Sequence, residues 1–469
     1  MAAKGSSGTW RFLCFVATAS LACGCATVIN PPLNVPLPRG AAMEMTPPST
    51  AMHENSIILS FSGGGLRAAA FAHGALLALE SKRTPDGDLL GDVVLISSVS
   101  GSSLTAAYYG LHGRKGLATF RDKVLIPGFE RDLSLSLNPV SLYHLLGAGL
   151  NSGGELGRVL DRDVFHGATF ADLYRKSTVD VRIHATELYY RMPFPFIPAA
   201  FKTLCSDINR YPVAQAVAAS MAVPMVFSPV VLRSYPGHCV APAAGNDSIP
   251  NARVSHTLAT ISQAIKSYQE PPVKYAKLAD GGLIDNFAVN EITLSRLFVG
   301  TPTAPMSERD AVRIRRLLFV TVDASRPSRG EWLEKEEGPE GISLALAGMD
   351  AAIDSAARFA ADAFDRMVAD WQRSIIDFRC GLSAEQVKNL GGPADFDCRA
   401  VSFAVAHLSV NDLPQPIGDR VASIPTRLAL EPAQIDDAIE GGRLGMLGLP
   451  ELHAYLDART LPNRRSARP

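Results

Sequence analysis

Residues 95–104 read LISSVSGSSL, an apolar run that stops at a knot of serines with one glycine. Upstream the run begins as DVVLIS (92–97); downstream it passes into LTAAYYGLHG (104–113). A short continuous apolar stretch bounded by small residues predicts a strand buried on both faces, and the stretch that follows predicts a helix. A strand that turns sharply into a helix lifts the side chain at the turn clear of the sheet, the geometry of a GxSxG nucleophile elbow. Ser100 sits at that turn, with Ser98 two before it and Ser102 two after, small residues but not glycines. Serine is also common in ordinary turns, so a polar loop is the competing reading.

Working outward, IILSF (57–61), SGGG and LRAAAFAHGALLALE (66–80) repeat the strand–turn–helix form. Strand, helix, strand, helix predicts parallel strands with helical crossovers, hence an α/β sheet. Further strands are expected at VDVRIHATEL (179–188), VKYAKLADGG (273–282), RIRRLLFVTVDA (313–324) and VSFAVAHLSV (401–410). The uncharged run 213–232 is broken by Pro224 and Pro229, which predicts a buried helix and then a strand instead of a membrane span. YYRMPFPFIPAAF (189–201) reads as a hairpin lining an apolar site or facing lipid, or else as a packed loop. Residues 347–375 have the apolar spacing of a long amphipathic helix, and a last helical stretch is expected near 433–457.

Three segments share one form, an apolar strand ending in a small-residue turn: LSFSGGGLR (59–67), LISSVSGSS (95–103) and AKLADGGLIDN (276–286). The carboxyl ends of parallel strands lie along one edge of a sheet, where sites form, so the three turns are expected to meet. Gly63, Gly64 and Gly65 precede a helix, which leaves their N–H groups free to face an anion. Donors of that kind are what a developing oxyanion requires. A plain strand–helix turn would also use glycine, and the missing GK[ST] ending argues against a nucleotide loop. Arg67 places a cation in the first helical turn, a placement unfavourable by about 0.3–1 kcal/mol. A substrate phosphate there would explain it; so would a salt bridge. Asp280, between a strand end and two glycines, is the expected acceptor of the Ser100 proton, with Asp285 the second candidate. Free aspartate has a pKa of about 3.9, so the site must raise that value or shape the hydrogen bond.

Two rival readings follow from the same residues. His407 comes after Asp280 and suits a Ser–Asp–His triad in chain order, although a lone histidine on an apolar strand is more often structural. His73, on the helix after the glycine loop, reads likewise as a packed residue. Outside enzymology, the chain reads as a non-catalytic envelope lipoprotein that binds lipid or serves assembly.

The remainder of the chain sets the compartment. The 469 residues are 47% hydrophobic and carry a net charge of −1, from 45 basic and 46 acidic side chains. That balance excludes the basic excess a nucleic-acid partner normally requires. Lys4 and Arg11 give a positive start before an apolar stretch, Phe12 to Ala22, too short to cross a hydrocarbon core of about 30 Å. It ends in LACGCATV, which resembles a bacterial lipoprotein signal. Lipidation is expected on Cys25, with Cys23 the runner-up; an ordinary secretory signal is the alternative. Ala26 resembles the sorting signal for the outer membrane, facing the periplasm. Proline-rich NPPLNVPLPRG and TPPS read as an extended tether. Cys205, Cys239, Cys380 and Cys398 are an even number in an oxidising space. Of three pairings, Cys205–Cys239 and Cys380–Cys398 close the shortest loops; four buried thiols are the alternative. No spacing resembles a zinc site. The expected division is signal 1–24, tether 25–55, catalytic α/β domain 56–325, C-terminal extension packed on that domain 326–460, and disordered tail 461–469.

Taken together, SGGGLR, SVSGS, ADGGLIDN and PVAQAVAASMAVPMVFSP resemble the patatin-like phospholipase family in content, order and spacing, over about residues 57–290. A C-terminal extension is common among bacterial members and matches residues 310–457 in outline. The resemblance implies a three-layer fold, a central mostly parallel sheet flanked by helices. It implies a Ser–Asp dyad without histidine: Ser100 as nucleophile, Asp280 as base. The amides of Gly64, Gly65 and Gly101 would form the oxyanion hole, assisted by Arg67. It also implies a phospholipid or other lipid ester substrate and a membrane surface as partner, with no cofactor and no metal. SVSGS is closer to the GLSGS of cytosolic phospholipases A2 than to the plant-type elbow, which has glycine on both flanks.

Overall fold

A computed structural model of the chain describes residues 30–39, 52–130, 133, 153–224, 226–239, 255–270, 273–325 and 331–460. The expected signal with Cys23 and Cys25, most of the tether and the tail at 461–469 lie outside the described residues.

Among the described residues, eight strands share one sheet: β1 (Asn55–Phe61), β2 (Val93–Val99), β3 (Asp180–Glu187), β4 (Met192–Pro195), β5 (Val230–Arg233), β6 (Tyr275–Asp280), β7 (Arg316–Asp323) and β8 (Ser402–Ser409). Their order is β8-β7-β1-β2-β3-β6-β5, with β4 also paired to β3. The run from β8 to β3 is parallel; β4 and β6 are antiparallel to β3, and β5 to β6. Helices named below are α1 (Gly65–Ser81), α2 (Ser102–Phe120), α3 (Val213–Ser220), α4 (Gly341–Cys380), α5 (Pro432–Gly448) and α6 (Pro450–Thr460).

Period-two alternation builds the layers. Ile57, Leu59 and Phe61 of β1 and Leu318, Val320 and Val322 of β7 join a core with Leu66 and Phe71 of α1, Leu104 of α2 and Ile435 of α5. Ile58, Leu317 and Phe319 point the other way and pack on Phe364, Val368 and Trp371 of α4. Strands buried on both faces read as unbroken apolar runs, which is why IILSF and DVVLIS were legible. The run 213–232 is α3 followed by β5, and no described helix is long and apolar enough to cross a membrane. The 189–201 stretch folds β4 back on β3 as a hairpin. Its Phe194, Phe196 and Phe201 are buried, with Phe196 and Phe201 against Tyr211, so the segment is packed, while Tyr189 at its tip is strongly exposed.

The C-terminal extension completes the layers around the sheet. β8 extends the sheet beside β7, α4 covers one face, and α5 lies on α1. The last contact is backbone to backbone. A Cβ added at Gly442 would lie 2.0 Å from the Phe71 carbonyl oxygen, and one at Gly74 would lie 1.9 Å from that of Ile439. Disulfides join Cys380 to Cys398, closing the loop between α4 and β8, and Cys205 to Cys239 beyond β5.

Residues 30–39 differ from a free tether. The Asn34 amide pairs with the edge of β5, donating to the Arg233 carbonyl and accepting its N–H, both at 2.8 Å. Leu37 is buried and donates its N–H to the Cys205 carbonyl at 2.9 Å. The segment covers an open sheet edge, which would otherwise present unpaired backbone groups.

Because the α1–α5 contact has no room for a methyl group, Gly442→Ala is expected to lower stability by about 1–3 kcal/mol through overpacking. The melting temperature should fall by several degrees. Gly448→Ala, where nothing lies within 4 Å of the added carbon, should leave it unchanged or slightly raised. Thermal unfolding followed by circular dichroism checks both.

Candidate active site

The serine knot has a local explanation. Three hydroxyls around Ser100 are bonded to neighbouring backbone: Ser97 Oγ to the Ala288 carbonyl at 2.7 Å, Ser98 Oγ to that of Arg182 at 3.0 Å, Ser102 Oγ to those of Ser62 and Val99; Ser103 Oγ lies 3.0 Å from Ser220 Oγ. Ser100 differs. Its φ of +55° is left-handed, a region L residues rarely occupy and one that marks functional turns. Its Oγ donates to Asp280 Oδ2 at 2.7 Å. The pair is enclosed, with Ser100 6% and Asp280 7% exposed.

The glycine loop lies directly against this turn. A Cβ added at Gly101 would fall 2.0 Å from the Gly65 carbonyl oxygen, and one at Gly63 would fall 3.1 Å from Ser100 Cβ. Gly65 itself has a φ of +62°. Gly65 opens α1, so its amide has no partner within the helix. The amides of Gly64, Gly65 and Gly101 donate to no atom among the described residues. Gly63 departs from expectation: its N–H faces Asn286, at 3.2 Å from Oδ1 and 3.4 Å from the carbonyl. An occupied donor is withdrawn from an oxyanion, so the free set is Gly64, Gly65 and Gly101.

Asp280 reaches Ser100 by a route that the argument from parallel strands did not foresee. β6 runs antiparallel to β3, so its carboxyl end points the opposite way from that of β2. The two meet because β6 overlaps only the end of β3: Asp280 lies beside Ala185, one residue beyond His184, which pairs with Val99. Burial pushes the Asp280 pKa up to about 6, although the Ser100 hydroxyl and the Gly282 amide both favour the carboxylate. A base of that strength is better matched to neutral pH than free aspartate.

The other candidates lie elsewhere or are satisfied elsewhere. Arg67 is 2% exposed, with Nε on the Ala324 carbonyl at 2.9 Å and Nη1 on that of Ile424 at 2.7 Å. These two carbonyl dipoles offset the cation in the first turn and tie α1 to the C-terminal extension, while Nη2 lies against Gly64, 3.0 Å from a Cβ built there. Burial pushes the Asp285 pKa up to about 6 even though its carboxylate accepts the N–H groups of Val289 and Asn290, and those bonds, not a hydroxyl, occupy it. His407 sits on β8, three strands from β2, bonded to Thr321 and to Asp365 on α4. It is not part of a triad with Ser100. His73 is buried against Phe120, and burial lowers its pKa to about 4. Two residues were missed. Ser220 Oγ accepts the Ser100 N–H at 2.8 Å, and Asn286 holds the Gly63 amide. Their only sequence signals were a polar residue within an alanine-rich run and the last letter of ADGGLIDN.

A family model for patatin-like phospholipases matches residues 59–292. Among solved structures, human GIVD cytosolic phospholipase A2 is 12% identical, covering 87% of this chain and 62% of its own, with a TM-score of 0.41. VipD from Legionella pneumophila is 11% identical, covering 92% of this chain and 72% of its own, with a TM-score of 0.31. The chain thus spans less than two thirds of the human protein's chain. No curated protein matches the chain.

An acid whose pKa is raised by folding binds its proton more tightly in the folded chain than in the unfolded one. Ionising Asp280 therefore opposes folding, with an effect that grows as pH rises from about 4 to about 6 and then levels off. Asp280→Asn is expected to be more stable than wild type at pH 7, by on the order of 2–3 kcal/mol at most. At pH 4 the difference should shrink to about 0.5 kcal/mol. Urea unfolding of both proteins at the two pH values measures it.

Proposed function

Residues 59–292 form a patatin-like phospholipase domain, and on that premise we propose that the protein is a lipid acyl hydrolase acting through Ser100, Asp280 and an acyl-enzyme. The observation that carries the reading is the hydrogen bond from Ser100 Oγ to a buried, proton-avid carboxylate at 2.7 Å. A hydroxyl in reach of its base, on a strained turn, is the arrangement of an activated nucleophile.

In this reading Ser100 Oγ attacks the ester carbonyl carbon while its proton passes to Asp280 Oδ2. The carbonyl oxygen gains the charge, and the free amides of Gly64, Gly65 and Gly101 receive it. Collapse of the tetrahedral intermediate breaks the ester C–O bond. Asp280 returns the proton to the departing alcohol, a lysophospholipid if the substrate is a diacyl phospholipid. A water molecule, deprotonated by Asp280, then attacks the acyl-serine; the bond from the acyl carbon to Ser100 Oγ breaks, Asp280 returns the proton to Oγ, and the fatty acid leaves. The preorganised amides are the largest expected contribution, each worth about 10²–10³ in rate by analogy with other oxyanion holes. Lipid on Cys25, or on Cys23, would hold the domain at the bacterial envelope, on the outer membrane facing the periplasm, within reach of its substrate.

A fluorophosphonate probe is expected to label wild type at Ser100 and to leave Ser100→Ala unlabelled. Mass spectrometry of products from mixed bacterial phospholipids should detect free fatty acid with wild type only. Folded wild type that is never labelled ends the enzyme reading. Asp280→Asn should lower kcat by about a thousandfold or more, as losing a base in a coupled pair does elsewhere. Since Asp280 must be ionised to accept the proton, kcat/KM should fall below an apparent pKa of about 6. His407→Ala and His73→Ala should keep most activity.

A further inference from the structure

Both reacting segments are held by one short stretch of chain, the C-terminal end of α3. The Ser100 N–H donates to Ser220 Oγ at 2.8 Å. The Asp280 N–H donates to the Ala222 carbonyl at 2.9 Å, and the Gly281 N–H to that of Ser220 at 3.2 Å. The Ser220 hydroxyl in turn donates to the His184 carbonyl of β3 at 2.6 Å and lies 3.0 Å from Ser103 Oγ. With its own proton given to His184, Ser220 Oγ accepts from both Ser100 N–H and Ser103 O–H. A serine hydroxyl has one donor and two acceptor sites, so this one is saturated and its orientation set.

The placement is also rigid. Every residue of α3 is buried, and Ser220 is fully enclosed. Ser100 is held at a positive φ that its backbone would leave if the surroundings allowed. The N–H that Ser220 captures belongs to that strained residue. Asp280 sits at the end of a strand that meets β3 over three register pairs only. The hydrogen bonds to Ser220 and Ala222 therefore supply a constraint that the sheet ladder does not.

Resting on the activity proposed above, we propose that the end of α3 is the template that sets the gap between nucleophile and base, and that Ser220 is its positioning residue. Ser220 does not touch substrate; it acts by holding Ser100. Without its hydroxyl the Ser100 N–H, the His184 carbonyl and the Ser103 hydroxyl lose their partner together in an enclosed site. The turn relaxes and Ser100 Oγ moves from Asp280. Burial, the Ser100 hydroxyl and the Gly282 amide are the causes acting on Asp280, with no charged side chain among them. Losing the Ser100 bond therefore moves its titration upward.

The test compares wild type with Ser220→Ala and the near-isosteric Ser220→Cys, whose thiol is a weak acceptor. Active sites are titrated with a fluorophosphonate, and kcat and KM are measured on phospholipid micelles across pH. Both Ser220 variants should keep the labelled fraction but react more slowly. Their kcat should fall about tenfold to a hundredfold, the scale of a misplaced reacting group. KM should be little changed, and the acidic limb of kcat/KM should shift to higher pH. Wild-type kcat and limb in both variants overturn the proposal, as does a loss fully accounted for by fewer labelled sites. A wild type that never labels sinks the activity instead. The crystal structure of Ser220→Ala then decides the placement on its own: a Ser100–Asp280 contact still at 2.7 Å overturns it, and a widened gap supports it.

Discussion

A carboxylic acid shut away from water and 2.7 Å from a hydroxyl is the constraint on which the rest of the molecule depends. Enclosing Asp280 makes its charge expensive, and only the Ser100 hydroxyl and the Gly282 amide compensate. That imbalance holds the proton affinity near the neutral range, where a base can both take and return a proton. It also sets what the surrounding structure must do. Ser100 has to stay in a backbone region that serine avoids, and the glycine loop has to come within contact of the turn. Each is a local liability that the packing around it sustains.

The support extends well beyond the family's own span. Arg67 joins the helix that follows the glycine loop to the carbonyl of Ile424, far along the chain. The backbone contact between α1 and α5 fixes that same helix from its outer side. β8 and α4 close the sheet's other flank and second face. At the opposite edge, Asn34 occupies backbone groups of β5 that would otherwise be open. The expected boundary at residue 325 thus divides the chain by sequence, while both halves share the layers that hold the site.

Much of the fold was legible because period and burial act locally. A parallel strand covered on both faces must be apolar throughout, so IILSF, DVVLIS and RRLLFVTV announce themselves. The turns after β1, β2 and β6 were legible because close backbone approach demands small residues. Less visible were features that depend on where a side chain points. Arg67 carries the same sequence whether its guanidinium meets a phosphate or a carbonyl. Gly63 looks like its two neighbours, yet Asn286 claims its amide. Ser220 lay unremarked in an alanine-rich run, although three groups meet at its hydroxyl.

The chain by itself determined the layers, the α/β alternation and the three turns that carry serine, glycines and aspartate, because each rests on residues adjacent in sequence. Only the tertiary structure decided that Asp280 approaches on an antiparallel strand, and that it stops level with Ser100. Strand direction and register follow from which neighbours β6 finds in the sheet, and they belong to pairings between residues far apart in sequence.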